Sequence, residues 1–117
     1  MGSMATRALH LVIPTLFCGL LLAGCATYEG ARLYNRGTAA LDRGESERAI
    51  ADLERAAELV PTASEVQNHL GLAYAASGRE GDALHAFRRA VDLDCDNRAA
   101  AENLRVAERA ASDEGTP

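Results

Sequence analysis

Apolar and small residues recur at helical spacing through most of the chain. Leu70, Gly71 and Tyr74 stand at positions i, i+1 and i+4, and Ala83 and Phe87 repeat the interval of four. Residues at these intervals share one face of an amphipathic helix. The pattern therefore predicts an all-α chain. We place its helices near residues 29–43, 46–59, 63–77, 80–93 and 97–111.

Turn and cap signals stand between the predicted helices. Gly44 and Gly78 follow the first and the third helix, and glycine tolerates the positive φ that a tight turn requires. The stretch from Thr62 to Glu65 has the spacing of a capping box, which would open the third helix. Asp96 is expected to cap the fifth helix.

The chain repeats itself with a period of 34 residues. Residues 30–63 align with residues 64–97, and seven positions of this alignment are identical. Self-similarity at this period is typical of stacked helix pairs. Gly71 and Ala83 lack bulk where two antiparallel helices would approach each other, and Phe87 is expected to fill the space between them.

The second copy resembles the tetratricopeptide repeat, whose pattern is L-G-x-x-Y, then A-x-x-x-F, then a proline near the end. It carries the first motif as L-G-L-A-Y at 70–74 and the second at Ala83 and Phe87, whereas the proline occurs in the first copy as Pro61. The resemblance implies an antiparallel helix-turn-helix solenoid. Its expected parts are repeat 1 at 30–63, repeat 2 at 64–97, a capping helix at 98–111 and a polar tail at 112–117.

Some positions depart from the repeat pattern. In the first copy, Arg36 replaces the leucine before the motif glycine and Ala40 replaces the motif tyrosine. A charge is tolerable there because no earlier repeat covers this helix. In the fifth helix, Arg105 and Glu108 occupy the places of the motif glycine and tyrosine, which fits a terminal cap with a polar outer face.

The amino-terminal segment resembles the leader of a bacterial lipoprotein. Arg7 precedes an apolar run at 11–24, which is shorter than the roughly 20 residues that a membrane-spanning helix needs. The run ends in L-A-G-C at 22–25, which resembles a lipobox. A short apolar run that ends in small residues is typical of a secreted protein's signal.

This resemblance implies a cleaved signal peptide at 1–24, lipid on Cys25 and a lipidated tether at 25–29. Two or more acyl chains give stable anchoring. Ala26 stands where aspartate would retain a lipoprotein in the inner membrane, so we expect the outer membrane, facing the periplasm. The alternatives are a plain cleaved signal, an uncleaved anchor, or myristoylation through the M-G-x-x-x-T pattern of the first six residues.

Composition argues against several classes of function. All 17 acidic residues follow Cys25, together with 11 of the 12 arginines, and an acidic domain is a poor candidate for nucleic-acid binding. Cys95 is then the one free thiol of the mature chain, either a partly buried turn residue or an intermolecular disulfide partner. The chain has no C-x-x-C motif and no Cys/His cluster, so no metal or other cofactor is expected. His69 and His85 are expected on solvated helix faces rather than in catalysis, and no enzymatic activity is expected.

The family resemblance also implies a partner-binding groove. The first helix of each pair lines the concave side, where an apolar strip would accept a helix or an extended peptide and Asn68 could bond a peptide backbone. The mode that grips a terminal carboxylate uses lysine, which this chain lacks. The expected groove residues are Tyr34, Thr38, Leu41, Asp42, Glu65, Asn68, Leu72, Ala75, Ala76 and Val106, with Glu102 and Arg109 extending the wall.

We therefore expect a non-catalytic, membrane-anchored module that holds a protein or peptide in its groove. Its first expected role, by analogy alone, is pilotin-like, in secretin or pilus assembly. The alternatives are a scaffold for cell-wall enzymes and a self-associating structural lipoprotein in which Cys95 locks a dimer. Two and a half repeats fall short of the roughly three that close a core, so weak stability or a homodimer is expected.

Overall fold

The computed structural model describes residues 24–114, and these residues form five α-helices. No strand occurs among them, and none of these helices combines the length and the hydrophobicity that crossing a bilayer requires. The fold is the all-α arrangement that the hydrophobic pattern predicts. The helices are α1 (24–42), α2 (Ser46–Leu59), α3 (Ser64–Ala76), α4 (Glu80–Leu93) and α5 (Arg98–Glu114).

The helix bounds match the prediction in the middle of the chain and differ at its ends. The bounds of α2 and α4 are as predicted, whereas α1 already includes residues 24–29. The predicted start near residue 29 is therefore wrong, and the segment expected as a tether is helical. At the other end, α5 continues to Glu114, so the expected polar tail begins inside the helix. The signal peptide predicted at 1–24 lies outside the described residues, apart from Gly24.

Two equivalent glycine turns close the helix pairs. Gly44 and Gly78 both have a φ of 76°, a conformation that residues with a Cβ rarely adopt. At the first turn the backbone N–H of Glu45 donates to the carbonyl of Ala40 over 2.9 Å. The same carbonyl also accepts from the backbone N–H of Arg43 over 3.1 Å, so these bonds satisfy a carbonyl of the last helical turn. The prediction that both glycines form turns is confirmed.

The predicted helix caps are wrong at two places. Helix α3 begins at Ser64 and has no side-chain cap, so the capping box does not form. The Ser64 hydroxyl instead donates to the backbone carbonyl of Ala90 over 2.9 Å. The cap of α5 is Asn97 rather than Asp96, because the Asn97 side-chain oxygen accepts from the backbone N–H of Ala100 at 3.1 Å.

Small side chains let the helices of each pair approach closely. A Cβ added to Gly71 would lie 2.5 Å from the Phe87 ring, and one added to Gly37 would lie 2.7 Å from Leu53. Phe87 is only 3% exposed and Leu53 is fully buried, so neither side chain can withdraw into solvent. Phe87 therefore fills the space beside Gly71, as predicted. Alanine supplies much of the remaining core, at positions 40, 49, 56, 73, 83, 86, 90 and 100.

Polar contacts also join neighbouring helices. Arg36 on α1 pairs with the Asp52 carboxylate on α2, whose side chain is 8% exposed, and this pairing holds the pKa of Asp52 below its usual value. The Tyr74 hydroxyl on α3 donates to the Glu54 carboxylate on α2 over 2.6 Å. Burial, followed by this bond, raises the pKa of Tyr74 to about 12. The charge at position 36 is thus compensated rather than merely tolerated.

The outer face of α5 is polar, as expected for a terminal helix. Arg105 pairs with Glu102 one turn earlier, and Glu108 pairs with Arg88 on α4 over 3.4 Å. All four side chains are at least half exposed. Arg105 and Glu108 therefore stand exposed at the positions that would face a further helix in a longer solenoid.

Candidate partner-binding surface

The first helices of the successive pairs, α1, α3 and α5, lie side by side. Tyr34 on α1 meets His69 on α3 edge-on, with ring centroids 5.3 Å apart. Asn103 on α5 donates its side-chain N–H to the side-chain oxygen of Asn68 on α3 over 2.9 Å. These two contacts hold the three helices together as one wall, which carries the predicted groove residues.

The predicted groove residues differ in how far they are accessible. The half-buried ones pack partly against the core, as Tyr34 and Leu41 do. Val106 is 57% exposed, which is unusual for a large apolar residue in the described chain. Thr38, Leu72 and Ala75 are also half-buried, whereas Asp42, Glu65, Ala76, Glu102 and Arg109 are exposed.

Asn68 does not lie on the open surface. It is 5% exposed, and its side-chain oxygen accepts from Asn103. The expectation that Asn68 bonds a peptide backbone is therefore corrected, because the residue joins α3 to α5 inside the wall. A second polar contact runs nearby, from the Asn97 side-chain N–H to the Ser64 hydroxyl over 2.8 Å.

His69 is likewise part of the wall rather than a freely solvated side chain. It is half-buried, and its Nδ1 lies 3.2 Å from the Tyr34 hydroxyl and 2.9 Å from the carbonyl of Glu65. One tautomer accepts from the tyrosine and the other donates to the carbonyl, so either state is satisfied. The expectation of a solvated face is wrong for His69 and correct for His85, which is exposed.

An apolar pocket of about 300 Å³ opens between α1 and α3. Its volume falls at the lower end of the range of ligand sites. Burial raises the pKa of Tyr34, with a smaller effect from Glu65, so the hydroxyl at the pocket wall stays neutral at physiological pH. The lining residues are Thr27, Gly30, Ala31, Tyr34, Val60, Ala63, Glu65 and Val66.

Most of this pocket was not predicted from the sequence. Thr27 belongs to the pocket because α1 begins earlier than residue 29, and Val60 and Ala63 belong to the loop after α2. The available signal was the uncharged composition of residues 24–28 and 60–63, two segments that lie at the same end of the helix pairs. Tyr34 and Glu65 are the predicted groove residues that the pocket includes.

The described residues show little that suggests metal or thiol chemistry. No group of three or more His, Cys, Asp or Glu side chains within residues 24–114 could hold a metal ion. Cys25 and Cys95 are both exposed free cysteines in this range. Cys95 lies in the turn between α4 and α5 as expected, but the prediction that it is partly buried is wrong.

A stack of antiparallel helix pairs, with a partly apolar wall formed by the first helix of each pair, defines a helical-repeat protein. Residues 34–100, more than half of the chain, match the family described as tetratricopeptide repeat. The chain belongs to this family. Tetratricopeptide repeats generally mediate protein–protein interactions and are typically non-catalytic. No curated protein matches the chain.

Proposed function

We propose that this protein is a membrane-anchored, non-catalytic module that holds a segment of a partner protein against the wall formed by α1, α3 and α5. The observation that carries the proposal is the apolar pocket between α1 and α3. It lies on the same wall as Leu72 and the exposed Val106. A partner helix or extended peptide would place apolar side chains on these features.

The energies are consistent with a multipoint contact. Burying one large apolar side chain contributes about 1.5–3 kcal/mol, whereas association loses at least about 4 kcal/mol of translational and rotational freedom. A single side chain in the pocket is therefore insufficient for stable binding. Additional contacts at Leu72 and Val106 would supply the surplus, so the proposed partner segment must extend across α1, α3 and α5.

Membrane anchoring is the second part of the proposal. The proposed lipid site is Cys25, as the lipobox resemblance at 22–25 implies. The Cys25 side chain is exposed, so no surrounding side chain has to move to accommodate a thioether. The proposed location is the outer membrane, facing the periplasm. Among envelope processes we place a pilotin-like role in secretin or pilus assembly first, by analogy alone, and scaffolding of cell-wall enzymes second.

Crosslinking in cells tests the binding surface. A photoreactive residue at Val106 or Leu72 should capture a protein partner, whereas the same residue at Ala51, exposed on α2, should not. Ala76→Glu should reduce capture at Val106, and Ala51→Glu is its matched control because both alanines are exposed helix residues. Equal capture from all three positions would refute the proposed surface.

Mass spectrometry of the chain purified from membranes tests the anchor. The expected mass is that of residues 25–117 with lipid added, and residues 1–24 should be absent. An unmodified thiol at Cys25, or a retained leader, would refute the anchoring. The crosslinking result would still test the binding surface, independently of the anchor.

One observation favours self-association as a second candidate function. A cleft of about 220 Å³ between the start of α4 and the end of α5 is lined partly by apolar side chains, including Leu84, Ala107 and Ala111. The exposed Cys95 lies at the other end of these two helices, in the turn that joins them. A second copy could cover this cleft. A dimer that sediments as such, appears on non-reducing gels and is lost in Cys95→Ser would support this candidate. A monomer at micromolar concentration would exclude it.

A further inference from the structure

The amino-terminal end of α1 extends further than the corresponding ends of α3 and α5. When the two repeats are aligned at 34 residues, the first residue of α3, Ser64, corresponds to residue 30, yet α1 is already helical at residue 24. Under the proposed anchor, cleavage before Cys25 removes Gly24, so the five additional residues of the mature chain, 25–29, are called the foot. At 1.5 Å per residue the foot is about 7.5 Å long. A lipid headgroup layer is roughly 5–8 Å thick on each side of a bilayer, so the two lengths are comparable.

One face of the foot is suited to a lipid surface. Cys25 and Tyr28 are three residues apart and therefore share a helix face, and Tyr28 is 73% exposed. No charged residue occurs from 24 to 28. The first charges, Glu29 and Arg32, bond to each other over 2.8 Å. Tyrosine is enriched at the headgroup level of membranes because its ring is apolar and its hydroxyl polar.

We propose that the foot contacts the membrane, with Tyr28 in the lipid headgroup layer beside the acylated Cys25. This inference rests on the proposed lipid anchor and adds to it an orientation. Under that anchor the acyl chains are attached to Cys25, which belongs to the foot and lies three residues before Tyr28. The occupant of this exposed face is therefore a lipid surface, at the point where the acyl chains enter it.

Charge on the loops supports the same orientation. Because α1, α3 and α5 run in the same direction, the loops that precede α3 and α5 lie at the same end of the molecule as the foot. The loop before α3, at 60–63, is uncharged, whereas the loop before α5 carries Asp94 and Asp96. Anionic headgroups repel these aspartates. Membrane contact is thus confined to the foot and the loop at 60–63, and the acidic loop before α5 stays in water.

The absence of tryptophan from the sequence permits a direct test. Tyr28→Trp introduces one fluorophore into the foot, and Val106→Trp is the matched control, since both positions are more than half exposed. The full lipidated chain would be reconstituted into phosphatidylcholine vesicles that contain lipid brominated near the headgroup. Circular dichroism checks that both variants keep the fold.

The emission of the Tyr28→Trp variant should shift to shorter wavelength and be quenched several-fold more strongly than that of the Val106→Trp variant. Replacing a third of the vesicle lipid with anionic phosphatidylglycerol should not reduce the difference, because the anionic headgroups repel the acidic loop before α5. Equal quenching of the two variants in a chain whose lipid is verified by mass spectrometry would overturn the foot contact alone. A chain purified without lipid on Cys25 would overturn the anchor, and the foot contact with it.

Discussion

Gly71→Ala tests whether the close approach of α3 and α4 determines stability. The added methyl group would lie 2.5–2.9 Å from three atoms of the Phe87 ring, which is nearly buried. Insertion of a methyl group into a well-packed core costs about 1–3 kcal/mol. Alanine also has a higher helix propensity than glycine, by about 1 kcal/mol. The net expectation is a loss of roughly 0–2 kcal/mol, the difference of these two effects.

Gly81→Ala is the matched control for this substitution. Gly81 is also helical, and a Cβ added there meets nothing within 4 Å. This variant should therefore gain up to about 1 kcal/mol from propensity. Urea unfolding of the chain from Ala26 onward, followed by circular dichroism, measures both. Gly71→Ala should be about 1–3 kcal/mol less stable than Gly81→Ala. Equal stability of the two variants would refute the packing argument.

Three further predictions concern polar contacts. The lowered pKa of Asp52 means that its carboxylate stabilises the fold above about pH 4, and that this contribution is lost as the pH falls through the lowered value. Asp52→Asn should make the unfolding free energy, measured by urea unfolding, depend less on pH in this acidic range. Asn103→Leu leaves the buried Asn68 oxygen without its donor and should cost about 1–3 kcal/mol in the same assay. Because the pKa of Tyr74 is raised to about 12, ionisation destabilises the fold as the pH rises from about 10 through that value. Tyr74→Phe should remove both this loss and the highest-pH step in a tyrosine absorbance titration.

Each of these three predictions has a control substitution at an exposed position of α1. Asp42→Asn should leave the loss of unfolding free energy at acidic pH unchanged. Asn35→Leu should leave the urea midpoint nearly unchanged. Tyr28→Phe should retain the highest-pH absorbance step. A control that behaves like its paired variant would show that the effect comes from composition rather than from the specific contact.

The helices were predictable because their pattern occurs twice. Each copy supplies an apolar face and a turn glycine, and Gly44 and Gly78 adopt the same φ. Two consistent copies specify the boundaries better than one could, which is why α2 and α4 match the prediction. The start of α1 was missed because residues 25–29 precede the first copy and were interpreted through the lipobox resemblance.

The contacts within the wall were not predictable from the 34-residue alignment. Such an alignment pairs equivalent positions, whereas neighbouring first helices touch at an offset of 35, as Tyr34 does with His69 and Asn68 with Asn103. Positions that are equivalent in the two repeats are therefore not the positions that touch each other. A search for polar pairs at an offset of 35 would have placed Asn68 and His69 inside the wall rather than on its surface.

The continuity of α1 has a consequence for the kind of partner. Cys25 and Tyr34 lie on one uninterrupted helix, nine residues or about 14 Å apart. Under the proposed anchoring, no flexible segment separates the lipid from the pocket, so the pocket stays close to the headgroups. A partner segment that reaches it must then lie next to the membrane. A flexible tether would instead let the groove reach partners at different distances from the membrane. The structure therefore favours a partner that is itself held at the membrane.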